Sequence, residues 1–462
     1  MLVVAAVLAT TACGARLDQQ QVAALAAQRN GSGATAARTG TAATGTQVAG
    51  ATAAQDTGGA TSGGAATGGG GGGATGDGGE GAATTADSCA PSGGATDVGV
   101  ADDSVTVGSV ATVGGPVPGL FTNVQGGVKA YFAYINGTQG GVCGRKLNLL
   151  TADDRLDAGV NRSATETLMP QVLAFVGSYS VVDDGGASVL DGTGIPDIGS
   201  AIGARRASMA TNFPMTPTEP SGQHNGSVGI WQYFAATYGV RTVAIVWPAQ
   251  GDARARGQAF VRDMQDAGLT VLTPHEVAIT ETNYTGVATK IKNDKADAVM
   301  TVLEINGISR LAQAFEQVGY LPKVPYYGQQ AYGGQLIALA GSAANGAILA
   351  LNHSIVEDAP NNPEAAAFAE WFSRVNPGAD RDFFAIQGWI AGSMFVHALR
   401  AAGAQPTRAK VLEHLQTYTA FDADGFIAPI NPAGKVPTPC FMVVTIENGQ
   451  WKRLEPASGF RC

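Results

Sequence analysis

Residues 130–154 read Ala-Tyr-Phe-Ala-Tyr-Ile-Asn-Gly-Thr-Gln-Gly-Gly-Val-Cys-Gly-Arg-Lys-Leu-Asn-Leu-Leu-Thr-Ala-Asp-Asp, and the fold turns on this stretch. Its opening closes a helix expected over Asn123–Asn136, Gly140-Gly141 break that helix, and Lys146–Thr151 alternates as a strand. With a strand at Ser104–Val110, the unit is strand, helix, strand. The pattern continues through helix Gly159–Leu168, strand Val172–Val176, a helix from Asp184 and strand Ile195–Ile198. After the Pro-rich stretch Pro214–Pro220 it resumes: helix Gly226–Tyr238, strand Thr242–Val246, helix Arg254–Ala267 and strand Thr270–Val277. Helix Tyr284–Asn293, strand Ala298–Leu303, helix Ile308–Val318 and strand Val324–Gly328 follow. Two successive series of this kind imply an α/β fold of two doubly wound parallel-sheet lobes. Ligands of such sheets bind beyond the carboxyl ends of the strands.

Beyond Leu349 the chain turns helical, at Pro363–Val375, Phe383–Ala402 and Thr407–Thr417, and ends in two strand-like runs around Asn448-Gly449. Helices without strands of their own fit a chain that crosses between lobes more than once. Residues 101–216 and 351–428 are expected in the first lobe, and 217–350 and 429–462 in the second.

The 462 residues carry a net charge of −9 and only 14% charged residues, with 64 glycines. An acidic chain without a basic stripe is not a nucleic-acid binder. The dilution comes from Ser32–Asp87, Gly, Ala and Thr without Ile, Leu or aromatics, which cannot bury enough apolar surface to fold. Residues 32–100 are expected as a disordered linker, either a plain tail or a tether, with a reach of roughly 40 Å. Residues 1–12 are apolar and too short to span a bilayer, and fit a signal peptide better than a short buried strand. Ala12-Cys13-Gly14 resembles a bacterial lipobox, which implies that Cys13 becomes a lipidated N-terminus, with residues 13–31 beside the membrane. Thr10 stands where such motifs usually carry an aliphatic residue.

Four cysteines then remain, Cys89, Cys143, Cys440 and Cys462, which allow three pairings or reduced thiols. The hairpin around Asn448-Gly449 returns its ends to each other, so Cys440 is expected to pair with Cys462 and, by elimination, Cys89 with Cys143. No Cys-x-x-Cys, His-Glu-x-x-His, Gly-x-Ser-x-Gly or phosphate loop is present, so no metal, cofactor or enzymatic activity is implied.

The quoted stretch resembles the first helix and second strand of bacterial solute-binding proteins of the leucine/isoleucine/valine-binding type, with Ile135-Asn136, Gly140-Gly141-Val142, Gly144-Arg145-Lys146 and an acidic pair. Gly114-Gly115-Pro116-Val117, Phe175–Ser180, Gly194–Ser200 and Tyr238–Ala244 match in order, and the likeness spans residues 102–455. It implies a type I periplasmic-binding fold with a multi-strand hinge, closing on a small polar solute, an amino acid or amide-like compound. It also implies a monomeric, extracytoplasmic, lipid-anchored receptor that serves an ABC permease; a sensory lipoprotein signalling through a membrane partner is the alternative. By the same resemblance the ligand's carboxylate lies against the loops after the third and fourth strands, here Ser178, Tyr179, Ser180 and Val181, then Ser200, Ala201 and Gly203. Asp252, Glu304 and Gln330 take the second-lobe positions. Val181, Gly203, Asp252 and Gln330 depart from the residues usual there, and a neutral Gln330 cannot hold an ammonium group as a carboxylate would.

Overall fold

The computed structural model describes residues 94–219, 222–249 and 251–462, apart from the side chains of Gly251 and Asp252. The expected signal peptide, Cys13, Cys89 and the expected linker up to residue 93 lie outside the described residues. Strands β1 (Ser104–Ala111), β2 (Lys146–Asp153), β3 (Phe175–Val176) and β4 (Asp197–Ile198) form a parallel sheet in the order β2-β1-β3-β4. A second parallel sheet holds β5 (Thr242–Pro248), β6 (Thr270–Val271), β7 (His275–Val277), β8 (Ala298–Thr301) and β9 (Val324–Tyr326), in the order β6-β5-β8-β9 with β7 also beside β5. Val243, Ala244, Ile245 and Val246 of β5 are all fully buried, because helices cover a parallel sheet on both faces.

One expected strand needs correction. The run Thr270–Val277 is two strands rather than one, since Pro274 has no N–H to give to the ladder between them. A further sheet, β10 (Ile348–Leu351), β11 (Met442–Glu447) and β12 (Gln450–Glu455), is antiparallel and joins the chain's two passes through the second lobe. Its hairpin turns at Asn448 and Gly449, with φ of 52° and 72°, as an Asn-Gly turn between right-twisted strands requires. The Cys440–Cys462 disulfide closes the base of this hairpin. Cys143 is also disulfide-bonded, with its partner outside the described residues.

The late helices return to the first lobe. Helix Pro363–Val375 starts on Asn362, whose side chain accepts from the N–H groups of Glu364 and Ala365 at 3.0 and 3.1 Å, with Pro363 in the first turn. Helix Phe383–Ala402 starts on Asp382 and packs against helix Thr122–Thr138. There Gly127 and Gly388 meet backbone to backbone, and a Cβ on Gly388 would lie 3.0 Å from Gly127 Cα. Two crossings between the lobes run side by side, with Ser354 N–H donating to the Phe426 carbonyl and Ala428 N–H to the Asn352 carbonyl, both at 2.8 Å.

Candidate functional site

A cleft of about 630 Å³ opens between the lobes at the carboxyl ends of both parallel sheets. On the first lobe its wall is aromatic. Phe121, Tyr179 and Phe384 pack with ring centroids 4.6, 5.0 and 5.4 Å apart, beside Val181 and Ile202. The second lobe contributes Ile230, Phe260, Leu303 and Tyr326 with a few polar groups, including Ser227, Arg256, Glu304 and Gln330. A largely apolar cavity with a few placed polar groups is the usual form of a small-molecule site.

Of the residues expected from sequence, Tyr179, Val181, Ser200, Ala201, Glu304 and Gln330 line the cleft. Ser178 and Ser180 lie behind its wall, fully buried: Ser178 Oγ accepts from Val110 N–H at 3.2 Å, and Ser180 Oγ from Val182 N–H at 3.0 Å. The Ser178 hydroxyl ties β1 to the loop after β3, and the Ser180 hydroxyl closes a turn within that loop. Gly203 is buried as well, with its N–H donating to Asp183 Oδ1 at 2.8 Å. Asp252 stands in the first turn of helix Gly251–Asp266, and its side chain is outside the described residues.

The polar groups that do reach the cleft are mostly committed to the fold. Glu304 caps helix Ile305–Gln317, accepting from the N–H groups of Asn306 and Gly307 at 2.8 and 2.6 Å. That cap starts the helix three residues earlier than the sequence pattern suggests. Gln330 Nε2 donates to the carbonyls of Thr301 and Tyr327, each at 3.2 Å, and so ties together the ends of β8 and β9. Asp183, a residue the sequence reading leaves unassigned, accepts from Ile202 N–H at 3.0 Å and Gly203 N–H at 2.8 Å. Burial pushes its carboxyl up to about 7, against the pull of Arg206 and the two amides. The Arg206–Asp197 ion pair beneath it is fully buried and two-pronged, at 2.9 and 2.6 Å.

Arg256 differs from all of these. It lines the cleft with its guanidinium 5.8 Å from the Phe260 ring, and among the described residues no hydrogen bond or ion pair engages that group. Burial lowers its pKa, while the Tyr179, Asp263 and Tyr326 side chains raise it. The sequence offers no signal for it, because Arg254, two positions earlier, pairs instead with Glu276 at 2.8 Å.

Among the described residues no cluster of His, Cys, Asp and Glu could hold a metal ion, and no helix is long and apolar enough to cross a membrane. A search of curated protein sequences finds no match. Solved structures do resemble the chain. A fatty acid ABC transporter substrate-binding protein from Thermomonospora curvata is 20% identical, with a TM-score of 0.66 over 78% of this chain and 94% of that one. A branched-chain amino acid ABC transporter protein from Thermus thermophilus with bound valine is 17% identical, with a TM-score of 0.66 over 78% and 97%. A solute-binding protein of an ABC transporter from R. palustris, in complex with benzoate, is 18% identical, with a TM-score of 0.63 over 78% and 97%. Identities this low speak for the fold. The model of the periplasmic binding protein family, by contrast, matches residues 104–450 of the sequence itself, so the chain belongs to that family of non-enzymatic solute receptors.

Proposed function

We propose that this protein is the extracytoplasmic receptor of an ABC importer, tethered to the membrane by a lipid on Cys13, and that it closes on one small organic solute. The observation that carries the reading is the cleft of about 630 Å³ between two lobes of a periplasmic-binding fold, at the carboxyl ends of both sheets. Adjacent crossings at 352–354 and 426–428 supply a place for hinge motion. The three structures of similar fold are a fatty acid ABC transporter substrate-binding protein, a branched-chain amino acid transporter protein with bound valine and a solute-binding protein in complex with benzoate, so the architecture houses solutes of different polarity. An amino-acid or amide-like solute remains within the proposal, although Glu304 and the amides of Ile202 and Gly203 already have partners within the chain.

A thermal-shift screen of amino acids, amides, sugars and carboxylates tests the reading. A true ligand at one hundred times its dissociation constant adds about 2.7 kcal/mol of stability. If no compound raises the melting temperature, the receptor reading fails.

A further inference from the structure

The charges around the cleft do not balance. Of the described residues that line it, Arg256 is the only Lys or Arg, against three acids, Glu304, Asp380 and Asp382. Each acid serves a helix start. Glu304 caps Ile305–Gln317; Asp380 accepts from Gly334 and Gln335 N–H at 3.0 and 2.7 Å, at the start of Gly334–Ala340; Asp382 accepts from Ala385 N–H at 2.8 Å. Asp263, the further acid whose charge reaches Arg256, accepts from Ser227 N–H and Oγ at 2.8 and 2.7 Å and faces His224 Nδ1 at 2.8 Å. Arg256 therefore stands without a direct partner in a largely apolar cavity. Its guanidinium is half-buried and open to the water of the cleft. Because an arginine keeps its proton, a solute that displaces this water offsets the lost hydration best with an anion.

The first lobe offers a ligand anion little. The N–H groups of Ile202 and Gly203 are taken by Asp183. Tyr179 and Tyr326 are both in electrostatic contact with Arg256, and burial pushes the Tyr179 phenol up to about 12 and raises that of Tyr326, so both are neutral hydroxyl donors at physiological pH. Among the described residues the three acids of the cleft are each bound to backbone N–H groups at a helix start, and the rest of the wall is aromatic and aliphatic with neutral polar side chains such as Asn123, Ser227 and Asn352.

We propose that the solute is an apolar carboxylate, its carboxylate held by Arg256 between the hydroxyls of Tyr179 and Tyr326 and its body laid against Phe121 and Phe384. This rests on the receptor reading above and names the chemical class of its ligand. A bidentate guanidinium–carboxylate pair flanked by two phenols selects for a planar anion, and the aromatic wall selects against a second charge.

The probes are octanoate and benzoate, each against its own amide, with L-leucine as the zwitterion, titrated calorimetrically into the full chain. At least one of the two acids binds, its amide and leucine binding far more weakly. Arg256→Gln weakens that acid about 100-fold without lowering the melting temperature of the free protein. Tyr179→Phe, which keeps the aromatic wall, weakens it about fivefold and reads the same contact if Arg256→Gln does not fold. Failure of both acids to bind overturns the assignment, as does equal binding of acid and amide, or unchanged affinity in Arg256→Gln. A neutral or zwitterionic ligand that binds in the cleft regardless of Arg256 overturns it and leaves the receptor reading standing. If no solute of the wider screen binds either, the receptor reading falls as well.

Discussion

Replacing Gly388 by alanine sets two effects of known size against each other. Gly388 lies in the helix Phe383–Ala402, where alanine in place of glycine favours the helix by about 1 kcal/mol. The added methyl, however, meets backbone and not a movable side chain. It would lie 2.8 Å from the Val124 carbonyl carbon, closer still to its oxygen, and 3.0 Å from Gly127 Cα. Relief requires helix Thr122–Thr138 to move away, and with it the aromatic packing of Tyr131 on Trp389, centroids 4.8 Å apart. Overpacking of this kind costs about 3 kcal/mol. The expected net loss is about 2 kcal/mol, a fall in melting temperature on the order of 5 °C. The control is Gly286→Ala in helix Thr285–Asn293, where a Cβ meets nothing within 4 Å; the same substitution there stabilises by up to about 1 kcal/mol. Thermal and urea melts followed by far-ultraviolet circular dichroism read both. Equal stability of Gly388→Ala and wild type would refute the close-approach argument, as would destabilisation by Gly286→Ala. In the Gly127→Ala/Gly388→Ala double variant the losses should add to less than their sum, since a helix already displaced accommodates the second methyl.

Asp183 makes stability fall with rising pH. Its folded pKa of about 7 lies above the ordinary carboxyl value, so the folded state holds the proton more tightly. The contribution is complete below about pH 4 and is lost as pH rises through about 7, by at most about 4 kcal/mol. Urea midpoints from pH 5 to 8 should therefore flatten in Asp183→Asn, and an unchanged slope would count against a buried, proton-holding carboxyl. Removing the Cys440–Cys462 bond, which closes 22 residues, with the double Ser variant should cost about 3 kcal/mol, read as a lower melting temperature under non-reducing conditions. Glu304→Ala should cost about 1 kcal/mol through the lost cap while leaving affinity for the cleft ligand within a few-fold. Cys13→Ser should move the protein from the membrane to the soluble fraction, still folded and still binding; membrane retention of that variant would show that another group anchors it.

Short-range signals carry most of the fold into the sequence. Gly140-Gly141 ends one helix, Asn448-Gly449 turns one hairpin, and Pro363 and Phe383 open two helices where the pattern puts them. The misreadings come where a local rule meets a tertiary one. The apolar run Val172–Val176 is buried throughout, yet only Phe175 and Val176 pair as strand, since burial and ladder pairing are separate properties. The cleft is harder to read than the fold. Loop position after a strand brings Tyr179, Val181, Ser200, Ala201, Glu304 and Gln330 to its wall. It does not say that Glu304 and Gln330 spend their polar atoms on backbone partners. Nor can it separate Arg254, paired with Glu276, from Arg256 in the cleft, because the difference is where helix Gly251–Asp266 lies and not what it contains.

Asp183 and Gly203 form one local joint. The resemblance assigns the loop after the fourth strand to the ligand's carboxylate and a threonine to position 203, where this chain has glycine. A Cβ at Gly203 would lie 2.6 Å from Asp183 Oδ1 and closer still to Asp184 Oδ1, so a side chain there has to displace both carboxyl groups. The bare backbone instead lets Asp183 reach the two N–H groups of Ile202 and Gly203 and ties the loop to the start of helix Asp184–Leu190. A cradle of N–H groups filled by the protein's own carboxyl group is a fixed structural joint, and a ligand's carboxylate cannot enter it without displacing Asp183. With those two N–H groups taken, the first lobe presents mainly aromatic and aliphatic surface to the cleft, and the one cation among the described lining residues, Arg256, stands on the second lobe.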